Sequence, residues 1–187
     1  MIISLVSQRC RLRPLSEKDL AVFSQYRAVP SIARFQSWSS YSLDDAKELY
    51  ETQTRTGFGE TDTWFQIAIA DRKDDSLLGD CALHFLADNQ QVEIGFTLAP
   101  GYQGEGLAKE AVSLLLDYVF TEMGKHRVVA ITGAENHSAK KLLLALGFRQ
   151  EAHYLKNVFF KGKWCDECLF ACLESEWKVW RSMRPSD

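Results

Sequence analysis

The sequence predicts a single-domain α/β fold with a mixed, mostly antiparallel sheet flanked by helices, and three observations predict it. The first is the order of the apolar patterns, β-α-α-β-β-β-α-β-α-β-β. It places an antiparallel-like run of strands before a strand–helix–strand unit, a helix and a closing hairpin. The second is a strand-like run, Val92 to Leu98, that stops at Pro100 and passes through a glycine-punctuated turn into a long amphipathic helix starting near Glu105. The third is size. A chain of 187 residues is enough for one well-packed core and short for two, so residues 1–187 read as one domain.

Each element has a local cause. Residues 9–14 alternate and suggest a first strand. Ser16 caps a helix from Glu17 to about Ala28, which Pro30 stops, and residues 31–42 form a loop rich in serine and aromatics. Ser42 caps a second helix over 43–56, ended by Gly57 and Gly59. Trp64 to Ala70 and Leu77 to Phe85 are strands, and Asp88-Asn89 is a hairpin-like turn before the strand Val92 to Leu98. In the long helix Ala108, Ala111, Val112, Leu115 and Val119 form one apolar stripe, and Gly124 follows its end. Val128 to Thr132 is almost wholly apolar, as a buried strand would be. Asn136 or Ser138 opens a helix whose core face is Ala139, Leu142, Leu143 and Leu146, and Gly147 terminates it. Strands over 148–160 and 163–173 meet at Lys161-Gly162, and a short helix from Ser175 to Trp180 closes the chain.

Composition excludes several classes. A net charge of −3 lacks the basic surplus of a dedicated nucleic-acid binder. No apolar run approaches the roughly 20 residues that span a bilayer. The start, Met1 to Val6, is apolar but has neither a basic region nor a cleavage pattern, so no signal peptide is read there. Five cysteines form an odd set. Cys165-x-x-Cys168 has ligand spacing, yet on a strand those two side chains point to opposite faces. Cys168 and Cys172 share a face but stand roughly 13 Å apart at strand rise. The four histidines have no mutual ligand spacing, so no metal is expected. Reduced, mostly buried thiols in a cytoplasmic protein are the better reading.

The turn Gly101-Tyr102-Gln103-Gly104-Glu105-Gly106 leads into a helix N-terminus with unpaired backbone N–H groups, a ready site for a phosphate or pyrophosphate. It lacks the Gly-x-Gly-x-x-Gly spacing and the Gly-Lys-Ser/Thr ending of nucleotide loops.

Gln103-x-x-Gly106-x-Ala108, Asn136-x-x-Ala139 about thirty residues on, and Leu146-Gly147-Phe148 together resemble the GCN5-related N-acetyltransferase (GNAT) superfamily. More narrowly, Val92 to Pro100, Glu110-Ala111, His126-Arg127-Val128 and Lys161-Gly162-Lys163-Trp164-x-Asp166-Glu167 are similar to its RimJ/RimL-type branch. The likeness runs from about Arg9 to Trp180. It implies a GNAT-like sheet in which strand 92–98 carries a bulge and splays from a parallel strand, 128–132, at the CoA site. It implies acetyl-CoA as co-substrate, its pantetheine arm pairing with the backbone around Thr97 and Leu98. The pyrophosphate would then sit on the amides of Gln103, Gly104, Glu105, Gly106, Leu107 and Ala108. Asn136 matches an asparagine that contacts the pantetheine or a water, and it also fits a helix N-cap.

The reaction so implied is direct transfer from the thioester to a primary amine, with the chain holding the reactants together. Glu93 shares a strand face with Gly95 and Thr97 and is the candidate base. Its alternative is a strand glutamate in a salt bridge. The family's tyrosine position is Leu143 and its serine position is Ala139, so the acid is a departure from the pattern; Ser138, Tyr154 or water are the candidates. An α-amine, with a pKa of roughly 7.7–8, asks less of a base than a lysine near 10.4, which favours a protein N-terminus over other amines. The acceptor groove implied by the family lies by Phe35, Trp38, Tyr41, Tyr154, Phe159, Phe160 and Trp164, about half of which are expected in the core. Asp166 and Glu167 can attract an amine or simply be solvated. No nucleic-acid or membrane partner is expected, and the state is monomer or homodimer. The alternatives are a non-catalytic CoA-binding or sensing module on the same fold and a small nucleotide-binding protein.

Overall fold

The computed structural model describes residues 3–183. Residues 1–2 and 184–187 lie outside them, so the leaderless reading of Met1 to Val6 and the outer limits of the 1–187 domain fall partly there. The chain runs β1 (Leu5–Val6), β2 (Cys10–Pro14), α1 (Leu20–Arg27), α2 (Pro30–Ala33), α3 (Leu43–Thr56), β3 (Trp64–Asp71), β4 (Leu77–Phe85), β5 (Gln91–Leu98), α4 (Leu107–Thr121), β6 (Arg127–Gly133), α5 (His137–Ala145), β7 (Arg149–Phe160), β8 (Lys163–Leu173) and α6 (Glu174–Ser182).

One sheet of eight strands in the order β1-β2-β3-β4-β5-β6-β8-β7 carries the domain. Every neighbouring pair is antiparallel except β5 and β6. That pair is parallel because α4 returns the chain to the same end of the sheet. One face packs on α4, α5 and α6 through Ile67, Cys81, Ile94, Leu115, Val128, Leu143, Phe170 and Trp177. On the other face a smaller cluster, with Leu20, Phe23, Tyr26, Ala46 and Ala68, seats α1 and α3.

Several boundaries differ from expectation for local reasons. A 3₁₀ turn over Glu17–Asp19 precedes α1, held by reciprocal bonds between Ser16 and Asp19. Pro30 does not only end a helix: it stands at the first position of α2, where its missing N–H costs nothing. α4 starts at Leu107 rather than near Glu105, because Gly106 has φ +80° and cannot join a right-handed turn. β1, two residues long, carries too little pattern to be anticipated.

The splay is present and the bulge is not. β4 and β5 keep one register from Phe85 opposite Val92 to Gly79 opposite Leu98. β5 and β6 pair only where Gln91 to Glu93 face Arg127 to Val129. Beyond that β6 continues along β8 as far as Gly133 opposite Glu167, and a gap opens beside the second half of β5. Gly79 explains the lean of β5 towards β4: a Cβ there would stand 2.2 Å from the Thr97 carbonyl oxygen and 2.8 Å from Leu98 Cα.

Candidate active site

The gap is lined by main chain. Ala99 N–H donates to Leu78 (2.9 Å) and Leu86 N–H to Gln91 (3.2 Å), which fixes the alternation along β5. Residues 91, 93, 95, 97 and 99 therefore bond β4, and Phe96 and Leu98 present their backbone groups to the gap. Thr97 turns its backbone to Asp80 and its hydroxyl to the opposite face, where Gln36 Nε2 lies at 3.4 Å. Of the two residues expected to pair with a pantetheine, the register leaves Leu98 in place and puts Phe96 beside it instead of Thr97.

At the end of β5 the glycine turn is held from two sides. Gln103 Nε2 donates to the Leu98 carbonyl at 2.8 Å, so this side chain ties the turn to the strand. Arg9 of the β1–β2 turn donates through Nη1 to the Glu105 carbonyl (2.9 Å) and pairs through Nε with Glu110 (2.6 Å). Gly104 and Gly106 have φ of +84° and +80°, a region other residues rarely adopt. α4 begins without a side-chain cap, and its first-turn amides, at Leu107 and Ala108, follow directly.

The second face of the sheet carries the polar groups. Trp64, His84 and Glu93 stand directly opposite one another on β3, β4 and β5. The Trp64 and His84 rings stack, with centroids 4.9 Å apart at 13°. His84 Nδ1 is buried without a hydrogen-bond partner and lies 3.7 Å from Glu93 Oε2. Burial pushes the Glu93 carboxyl above its ordinary range; nearby His84 opposes this, and the charge of Glu167 adds to it. The sequence offers His84 only as one of four histidines without ligand spacing, yet a hairpin centred on Asp88-Asn89 sets residue 84 opposite residue 93.

Other expected residues fall as follows. Asn136 caps α5, its Oδ1 accepting from Ala139 N–H at 3.2 Å. Ser138 is exposed in the first turn of α5. Leu143 is buried in the main core. Tyr154 is exposed on β7, opposite Glu167. None of Phe35, Trp38, Tyr41, Tyr154, Phe159, Phe160 and Trp164 is fully buried, against the expected half. The core beneath α1 and α3 is filled by Phe23 and Tyr26. The faces of Phe23, Trp38 and Tyr41 instead surround the buried Arg27 guanidinium at 4.0, 4.6 and 5.2 Å. Among the described residues no group of three or more His, Cys, Asp or Glu could hold a metal ion. Cys168 and Cys172 are buried and Cys165 half-buried, all free thiols. No helix among the described residues is long and apolar enough to cross a membrane.

Acetyl-CoA fits this arrangement. The backbone of Phe96 and the Leu98 N–H, facing the gap, suit an extended amide-bearing arm, and space around Gly104, where a Cβ would meet nothing within 4 Å, suits a pyrophosphate beside helix amides. The fold and site thus define a CoA-dependent acyltransferase. The comparison with known families agrees: residues 9–149 match the acetyltransferase (GNAT) domain, and the chain belongs to that family of acetyl-CoA-dependent acetyltransferases. It is 27% identical to an uncharacterized N-acetyltransferase, YnaD, of Bacillus subtilis over 92% of this chain and 98% of that protein. The spermidine N-acetyltransferase of Vibrio cholerae, solved with CoA and spermine, superposes with a TM-score of 0.78 at 24% identity, covering 89% of this chain and 96% of that one. A ribosomal-protein-S5-alanine acetyltransferase from Vibrio fischeri gives 0.78 at 20% identity, covering 94% and 98%. These structures share the fold.

Proposed function

We propose that residues 1–187 form one cytoplasmic N-acetyltransferase of the RimJ/RimL type that moves acetyl directly from acetyl-CoA to a primary amine, a protein N-terminal α-amine before other amines. The observation that carries the reading is the half-buried Glu93 carboxylate, on the sheet face beside the gap and with a raised pKa. Phe96 and Leu98 would hold the pantetheine arm, and the turn from Gln103 to Ala108, with Arg9 behind it, would hold the pyrophosphate. Asn136, which caps α5, would also contact the arm. When bound, acetyl-CoA supplies an activated acyl carbon on a thiol leaving group.

The chain's own part is to bring a neutral amine to that carbon and to receive its proton. Glu93 takes the proton as the N–C bond forms, directly or through one water. The C–S bond breaks, and the departing thiolate is protonated by a donor such as Tyr154, Ser138 or water. An α-amine needs only a modest base, and a carboxylate of raised pKa is one. The test is free-thiol release from acetyl-CoA with peptides of varied N-terminus, amino acids, polyamines and aminoglycosides. Turnover with peptides at rates above the other amines is expected. CoA binding without turnover of any amine would replace this reading with a sensing module.

A further inference from the structure

Between α2, the end of β6 and the β7–β8 hairpin lies a cavity of about 490 Å³, walled by Phe35, Phe160 and Trp164. It carries three carboxylates, Glu135, Asp166 and Glu167, and three cations, Arg34, Lys161 and Lys163. Their pairing is uneven. Glu135 is met by Arg34 at 3.1 Å and Lys163 at 3.9 Å. Asp166 accepts from the Lys156 N–H (2.8 Å) and faces His153 Nε2 (2.9 Å). Lys161 is bound by the carbonyls of Ala33 and Trp38. Glu167 accepts from the neutral Asn157 Nδ2 at 2.6 Å and has no cationic partner among the described residues.

Its position is as informative as its pairing. Glu93 faces Val129, Val129 faces Ala171, and Glu167 lies four residues before Ala171 on β8, so both glutamates project from one face. Glu167 stands opposite Gly133, which puts no side chain between it and the gap. Its charge reaches Glu93, adding to the upward shift that burial gives that carboxyl.

We infer that Glu167 is the specificity-determining residue of the acceptor site. It receives the acceptor's ammonium group before the proton is surrendered to Glu93, and the site selects an amine with a single positive charge flanked by apolar surface. The inference rests on the amine-transfer reading above and adds the residue and the charge class. Of the three carboxylates in this cavity Glu167 alone makes no ion pair among the described residues, so it offers one cation a partner and a second cation none. The aromatic walls accept the apolar surface beside it. A peptide N-terminus has that character, and a polyamine does not.

The test measures binding of an alanine-initiated tripeptide to the CoA-loaded protein by calorimetry, together with kcat and KM for the same peptide. Loss of one charge-assisted contact predicts that Glu167→Gln weakens peptide affinity and raises KM about tenfold. kcat should stay within about twofold, with CoA affinity and melting temperature unchanged. Glu167→Asp, which keeps the charge, should recover part of the affinity, and spermidine should bind wild type more weakly than the peptide. Unchanged peptide affinity in Glu167→Gln, equal loss in both variants, or tighter spermidine binding would each overturn the inference. Binding is read separately from turnover. A wild type that binds the peptide but releases no thiol refutes the transfer reading and leaves the role of Glu167 decided by its own variants.

Discussion

Gly79→Ala puts one methyl group where β4 and β5 come closest. The added Cβ would stand 2.2 Å from the Thr97 carbonyl oxygen and 2.8 Å from Leu98 Cα, both backbone atoms that cannot swing aside. Relief of the contact requires the end of β5 to retreat by about 1 Å, since packed interiors hold no slack. Overpacking of this kind costs about 1–3 kcal/mol. In a domain of this size each kcal/mol lowers Tm by roughly 2–4 °C. The functional cost is larger, because the moving segment carries Leu98, whose carbonyl anchors Gln103 and whose neighbour Phe96 lines the gap. A misplacement of about 1 Å can cost about 10²-fold in rate. CoA affinity by calorimetry and KM for acetyl-CoA by thiol release should both worsen at least about tenfold. Gly101→Ala is the control: its Cβ meets nothing within 4 Å and its backbone is ordinary, so stability should stay within about 0.5 kcal/mol. A Gly79→Ala protein that melts and binds CoA as wild type does would refute the account of how the gap is formed.

Glu93→Gln should lower kcat about 10²-fold while CoA binding holds, and should remove the rising acid limb of the pH–rate profile. Because burial raises the folded pKa of Glu93, its contribution to stability is present below the ordinary carboxylate pKa and lost as pH rises through the raised value. The same variant should therefore melt higher than wild type at neutral pH; a lower Tm there would contradict the cause given for the shift. Asp80, buried between Tyr26 Oη (2.5 Å) and Arg27 Nη2 (2.9 Å), balances a buried guanidinium. Asp80→Asn should cost about 3–5 kcal/mol in urea unfolding, and a cost below about 1 kcal/mol would mean Arg27 is solvated. Arg9→Ala should lower stability by less than about 1 kcal/mol, since the pair with Glu110 is half exposed, yet weaken CoA binding, most at low salt. CoA affinity insensitive to both would remove Arg9 from the turn's support.

Periodicity made the sheet and its helices legible: Val92, Ile94 and Leu98 are buried and Glu93 and Thr97 face the other way, as their alternation required. The α4 stripe through Ala111, Val112, Leu115 and Val119 is likewise in the core. What a pattern of single residues does not carry is pairing across strands. The resemblance sets the arm around Thr97 and Leu98, and only the β4–β5 register tells which of the two turns its backbone to the gap. Ligand spacing says nothing of His84, whereas the turn at Asp88-Asn89 holds the arithmetic that sets it against Glu93. The aromatic residues depart from expectation for a different reason. Composition says how many rings a core needs, not which; Phe23 and Tyr26, on a packed helix, took that place, and the loop and hairpin rings stayed near the surface.

The three-residue ladder between β5 and β6 has a consequence for how this molecule treats its own edges. Unpaired strand backbone is ordinarily an outer-edge hazard, open to any extended chain that drifts past. Here part of that edge has been moved to the middle of the sheet, with α4 behind it and strands on both sides. A neighbouring protein cannot lie down in a slot closed at one end. A narrow, flexible molecule with its own amide groups can enter as a strand would, and the aggregation risk of an edge becomes selectivity for a small guest.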